Sequence, residues 1–195
     1  MIVMILILFL SYTKTTVQSN GMLKHVLFFT NVLTQEQYHR VLDECHLLQP
    51  YLKENHGERI KRKTIQIEPH SYVSTLFYGN PFLDYLHTRL GFRVRPSSIP
   101  IEFRMYEKGG MMDWHRDVVH SLVRNCPQIE IVFTLENNSD SKTLWIEETK
   151  NQEVTHEVVT QNNSILITQG NGAYHKVTPV STGYRSIIKI AYDVV

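Results

Sequence analysis

Ile99–Asp117 reads Ile-Pro-Ile-Glu-Phe-Arg-Met-Tyr-Glu-Lys-Gly-Gly-Met-Met-Asp-Trp-His-Arg-Asp, and its pattern decides the fold class. Apolar and polar residues alternate from Ile99 to Tyr106, Gly109-Gly110 breaks the run, and Met111–Val119 resumes it, which predicts two strands joined by a turn. The same texture recurs downstream at Ile129–Leu135, Thr143–Glu147, Val154–Val159, Ser164–Thr168, Ala173–Val177 and Arg185–Tyr192. Polar turn residues separate these runs, most visibly Asn137–Lys142. Eight strands in about a hundred residues predict an antiparallel sandwich or jelly roll.

Upstream the periodicity is mainly helical. Thr34-x-x-Gln37 reads as a capping box opening a helix, with Tyr38, Val41, Leu42, Cys45 and Leu48 on one face and Pro50 stopping it. A second helix is predicted from Pro81 to Leu90, with Phe82, Tyr85, Leu86 and Leu90 inward and Gly91 ending it. Between them lies the basic run Arg59-Ile60-Lys61-Arg62-Lys63, read as a solvated face, with nucleic-acid contact as the alternative. The expected class is therefore α+β, mainly β, with the helices packed outside. Residues 20–95 form the helical part and 96–195 the β core of one domain, since no repeat or Gly/Ser/Pro-rich linker divides them.

Composition supports this reading. The 195 residues are 42% hydrophobic and 20% charged, which is globular, and the net charge of +1 supplies no global field for attracting nucleic acid. Two cysteines without a Cys-x-x-Cys pair exclude a disulfide-dense scaffold and a zinc finger; whether Cys45 and Cys126 pair stays open. Ten histidines are more than structural roles usually need. Met1–Leu10 is an unbroken apolar run, about half the ~20 residues that a membrane-spanning helix needs. It reads as a signal-peptide core within residues 1–19, with cleavage at Val17-Gln18-Ser19, and no spanning helix is expected. That places the chain in the secretory pathway, in the endoplasmic reticulum lumen; a buried first strand and a cytoplasmic location are the alternative. Asn137-Asn138-Ser139 and Asn162-Asn163-Ser164 fit the N-glycosylation acceptor pattern and are compatible with secretion.

The chemistry sits at His115-Arg116-Asp117. On a strand, residues i and i+2 share a face, so His115 and Asp117 project together and Arg116 points away. That supplies two of the three ligands of the 2-His-1-carboxylate triad that holds non-haem Fe(II). Alone the pair is weak, because ten His and six Asp in this length give about 0.3 His-x-Asp matches by chance. Its company is more specific. Tyr106-x-x-Gly109-x5-His115-x-Asp117 leads into it, and 58 residues after Asp117 comes His175-x-Val-x-Pro-Val-x-x-Gly-x-Arg185. A guanidinium beside a metal pairs a carboxylate through two parallel hydrogen bonds, so a dicarboxylate anchored on Arg185 would present a 2-oxo acid end to the metal.

These motifs resemble the Fe(II)/2-oxoglutarate-dependent dioxygenases, over about residues 96–195. The resemblance implies a double-stranded β-helix (jelly-roll) core. It implies His115, Asp117 and His175 as iron ligands, Arg185 as partner of the 2-oxoglutarate C5 carboxylate, and Tyr106 as a hydrogen-bond donor to that cosubstrate. O2 is the co-reactant and succinate and CO2 the co-products; ascorbate is a further candidate cofactor. The tail looks most like the prolyl 4-hydroxylase branch, with Lys142-Thr143-Leu144-Trp145 where those enzymes carry Gly-Gly-Glu-Thr-x-Phe. Asp140-Ser141 replaces the Gly-Gly, and Arg185 stands where many prolyl 4-hydroxylases have Lys. The nucleic-acid demethylases share the first spacing, but they carry Asn where this chain has Arg104 and a second Arg where it has Ala191. The expected activity is hydroxylation of a C–H bond in a peptide or protein, a peptidyl proline first. An oxygenase acting on a small molecule or nucleic-acid base, or a catalytically silent jelly-roll binding module, are the alternatives.

Plainer readings of each residue also stand. His115 and Asp117 as a surface pair, His175 as a hydrogen-bonded core histidine, Arg185 paired with Glu102, and Tyr106 as a core tyrosine are all compatible with the sequence. His120 falls on the opposite strand face from His115. The histidines at 25, 39, 46, 56, 70, 87 and 156 read as surface or helix residues, and Trp114 and Trp145 as core.

Overall fold

The computed structural model describes residues 23, 25–118, 126–148 and 152–195. The expected signal segment, its cleavage site and His120 lie outside them. The described chain runs β1 (Leu27–Thr30), α1 (Gln35–Leu48), β2 (Lys53–Gly57), β3 (Ile60–Gln66), α2 (Tyr72–Tyr78), α3 (Asn80–Leu90) and β4 (Val94–Pro96). It continues through β5 (Glu102–Tyr106), β6 (Met111–His115), β7 (Gln128–Asn137), β8 (Thr143–Glu148), β9 (Glu153–Val158), β10 (Ser164–Gln169), β11 (Tyr174–Val177) and β12 (Arg185–Val194).

The strands form one antiparallel sheet in the order β1-β10-β7-β12-β5-β3-β6-β11-β8-β9, with β2 paired to β3 and β4 to β12. The sheet curls on itself. Along the ladder, β12 and β8 are five strands apart, yet the Arg185 guanidinium donates to Thr143 Oγ1 across 2.9 Å. That closure is the jelly roll.

Strand alternation explains why the closed sheet has two unlike faces. Ile129, Ile131, Phe133 and Leu135 of β7, Ile165 and Ile167 of β10, and Ile188, Ile190 and Tyr192 of β12 enter one apolar core. The helices cover it: Val41 and Cys45 of α1, Phe77 of α2, and Phe82, Leu86 and Leu90 of α3 belong to the same cluster. Phe77 meets Phe133 at 5.3 Å between ring centroids, and its carbonyl accepts from Tyr192 Oη at 2.6 Å. The intervening residues, Glu130, Val132 and Thr134 of β7, Leu166 and Thr168 of β10, and Arg185, Ile187 and Lys189 of β12, turn to the barrel interior.

The expected helix starts and stops are present. Thr34 makes the capping box with Gln37 over α1, and Gly91 caps α3 at φ 76. The eight expected strands correspond to β5–β12. The departure lies in residues 27–96, which hold α2 and four strands as well as the two expected helices. Both cysteines are free thiols, with Cys45 buried. No helix among the described residues is long and apolar enough to cross a membrane.

Candidate metal centre

Registry builds the centre. β11 pairs with β6 so that His175 lies directly opposite His115, and the ring centroids are 4.2 Å apart. Asp117 arrives differently from the expectation of a shared strand face. β6 ends at His115, and the Asp117 carbonyl instead accepts the Asn171 N–H, at 2.7 Å, from the turn that follows β10. This tether turns the carboxylate toward the imidazoles. His175 Nε2 is 3.4 Å from Asp117 Oδ2 and His115 Nε2 is 3.9 Å from Oδ1. One ligand atom from each of the three residues lies within 4.8 Å of the others.

The tautomers are fixed by backbone. His115 Nδ1 sits 2.8 Å from the Asp113 carbonyl and His175 Nδ1 2.9 Å from that of Ala173. A carbonyl only accepts, so both Nδ1 atoms carry the proton and both Nε2 lone pairs face Asp117. Burial, then the neighbouring His175, pulls the His115 pKa down to about 4, which keeps the ring neutral. Burial opposes ionisation of Asp117, but the Lys189 ammonium, 2.6 Å from Oδ1, outweighs it and holds the carboxyl below its usual range. Two imidazoles offering Nε2 and one carboxylate are a ligand set suited to a divalent iron.

Arg185 is 1% exposed. Its Nη1 donates to Thr143 Oγ1, its Nε has no partner, and no carboxylate lies within ion-pair distance among the described residues. Burial lowers its pKa to about 10, so it stays cationic at neutral pH. The alternative pairing with Glu102 does not form, because Glu102 holds Arg104 at 2.5 and 2.7 Å. Tyr106, 1% exposed, is the register partner of Arg185 on β5. Tyr106, Arg185, Met112, Thr143, Val177 and Lys189 line one narrow cavity together with the His115–Asp117–His175 group.

Two site residues escaped the sequence reading. Lys189 follows Arg185 by four positions on β12 and so shares its face; that parity was a usable signal. It binds Asp117 and lies 3.5 Å from buried Glu130. Arg62, inside the basic run, is 8% exposed rather than solvated, and its Nη1 reaches Tyr106 Oη at 3.5 Å and Met112 Sδ at 3.1 Å. The tryptophans are half-buried rather than core, with Trp114 stacked on Tyr174 and Trp145 on His156. Of the other described histidines, His156 is half-buried and those at 25, 39, 46, 56, 70 and 87 are exposed.

No family model and no curated protein matches the sequence. Solved structures do match. A prolyl-4-hydroxylase from Pseudomonas putida aligns at TM-score 0.67 and 13% identity, over 87% of this chain and 91% of that one. A prolyl hydroxylase from Trichoplax adhaerens, in complex with a hypoxia inducible factor oxygen degradation domain peptide fragment, aligns at 0.66 and 16%, over 88% and 84%. HygX from Streptomyces hygroscopicus, with nickel, 2-oxoglutarate and hygromycin B bound, aligns at 0.62 and 10%, over 86% and 82%. The fold of this chain is that of the 2-oxoglutarate–Fe(II) oxygenases, prolyl hydroxylases among them.

Proposed function

We propose that this protein is an Fe(II)- and 2-oxoglutarate-dependent dioxygenase that hydroxylates a C–H bond in a peptide or protein, a peptidyl proline first. The observation that carries the reading is a His-Asp-His cluster sharing one narrow cavity with a buried arginine that has no carboxylate partner among the described residues. His115, Asp117 and His175 would hold the iron, beside the cavity they share with Arg185 and Tyr106. Bound there, iron supplies the oxidising chemistry, with 2-oxoglutarate leaving as succinate and CO2. Arg185 takes the distal carboxylate, and Tyr106 donates its hydroxyl to the same molecule. Met112, Val132, Leu166, Val177 and Ile187 form the apolar part of the lining and exclude water.

Support for a peptide substrate comes from the prolyl-hydroxylase neighbours and from the His175–Arg185 spacing. A small-molecule substrate is the second reading, favoured by the likeness to HygX. The apolar run Met1–Leu10 supports an address in the secretory pathway.

The test is anaerobic loading with Fe(II), then O2-dependent release of succinate from 2-oxoglutarate, first alone and then with proline-containing peptides. His175→Ala is expected to abolish iron binding and turnover. Arg185→Ala is expected to keep the iron and raise the 2-oxoglutarate concentration needed. Failure of the wild type to bind iron overturns the assignment and leaves the non-catalytic module.

A further inference from the structure

Among the described buried cations, two lack an acidic partner. Arg104 has Glu102, and Lys189 has Asp117 and Glu130. Arg62 and Arg185 have none, and each leaves its Nε without any partner at all. Register brings these two together. Lys63 pairs with Met105, which carries Arg62 on β3 to the height of Tyr106 on β5, and Tyr106 pairs with Arg185 on β12. The result is a cross-strand row, Arg62–Tyr106–Arg185, facing the barrel interior. Neighbours in such a row stand about 5 Å apart at Cβ, so both guanidiniums reach the space over one phenol.

The contacts of Arg62 are poor for a buried charge. Its Nη1 has the Tyr106 hydroxyl at 3.5 Å and the Met112 thioether at 3.1 Å, and a thioether is a weak acceptor. Burying a guanidinium is costly unless an anion joins it. The positive potential is visible at the phenol: Arg104, Arg62 and Arg185 together outweigh burial and lower the Tyr106 pKa.

We propose that Arg62 and Arg185 form a two-guanidinium clamp, one on each side of the Tyr106 ring, for the distal carboxylate of a 2-oxo dicarboxylate. The clamp rests on the cosubstrate reading above and extends it to a residue on β3. A carboxylate has two oxygens with about four lone-pair directions, so each guanidinium takes one oxygen while the phenol donates between them. The clamp makes the pocket select dianionic over monoanionic 2-oxo acids.

The test is calorimetric titration of 2-oxoglutarate into Ni(II)-loaded wild type, Arg62→Gln, Arg62→Lys, Arg185→Gln and the double variant, with far-UV circular dichroism confirming the fold. Arg62→Gln is expected to weaken binding about tenfold, and Arg62→Lys less, since it keeps charge but not the fork. The double variant is expected to lose less than the product of the single losses, because both residues act on one carboxylate. Binding of 2-oxobutyrate, which lacks the distal carboxylate, is expected to change by less than about twofold in Arg62→Gln. If Arg185→Gln weakens 2-oxoglutarate while Arg62→Gln does not, the clamp is overturned and the cosubstrate reading stands. If wild type binds Ni(II) but no 2-oxoglutarate, both are overturned. Should Arg62→Gln fail to fold, an unchanged affinity in Arg62→Lys overturns the clamp.

Discussion

Thr143 gives Arg185 its described hydrogen-bond acceptor, at 2.9 Å in the barrel interior. Valine has the same shape without the hydroxyl, so Thr143→Val leaves Nη1 unpaired. The expected cost is about 1–3 kcal/mol of stability, read from urea unfolding, with 2-oxoglutarate binding weakened as the guanidinium loses its orientation. Unchanged stability and affinity would remove Thr143 from the site. At this scale the sequence was most legible where chemistry demands particular residue types at set spacings. His115, Asp117, His175, Arg185 and Tyr106 line one cavity, Asp117 by way of its tether to Asn171 rather than a strand face shared with His115. Arg62 was illegible because its neighbours Lys61 and Lys63 are charged too, and a run of cations hides which member turns inward. Lys63, half-buried, pairs with Glu54 and Glu107, while Arg62 between them is buried.

The loop between β11 and β12 brings the chain from His175 round to Arg185, and polar contacts pin it to the β7–β8 turn. Asp140 accepts from the N–H groups of Ser181 and Thr182 and from the Ser181 hydroxyl, and these bonds lower its pKa to about 2. Ser141 donates to the Thr178 carbonyl at 2.8 Å. The Asp140-Ser141 pair that departs from the Gly-Gly pattern is thus a tether for this loop. Gly183 completes it at φ +71, where an added Cβ would fall 2.5 Å from the Asn138 carbonyl oxygen. Gly183→Ala therefore combines left-handed strain with a backbone clash and is expected to cost more than about 1 kcal/mol. Thermal unfolding checks this, and a variant as stable as wild type would show that the turn can re-form without glycine. Element by element, β5, β7, β10 and β12 were legible because apolar alternation marks strands lying against a helix-covered core. β2 and β3 were not, since their sequences, Lys-Glu-Asn-His-Gly and Ile-Lys-Arg-Lys-Thr-Ile-Gln, carry few apolar residues and β3 turns a cation into a polar barrel interior.

Across the whole molecule, the sheet separates an apolar outer core under the helices from a charged interior in which Lys189 is matched by Asp117 and Glu130 while Arg62 and Arg185 have no acidic partner among the described residues. Glu130 is the member whose balance depends on pH. Burial raises its carboxyl to about 7, against the pull of Lys189. Between about pH 4.5 and 7 the folded protein holds a proton on Glu130 that the unfolded chain has released. This contribution to stability is therefore complete below about 4.5 and is lost as pH rises through about 7. His115 works in the opposite sense, because its folded pKa of about 4 lies below the ordinary 6.5 and stability rises with pH across that interval. A single melting curve against pH mixes the two. Glu130→Gln separates them, since it keeps a neutral side chain at every pH and leaves His115 unchanged. The difference in melting temperature, variant minus wild type, measured on metal-free protein, is expected to grow from about pH 5 to about pH 8. A constant difference would mean that Glu130 stays ionised throughout, with Lys189 shared between two full charges and correspondingly less of its attraction left for Asp117.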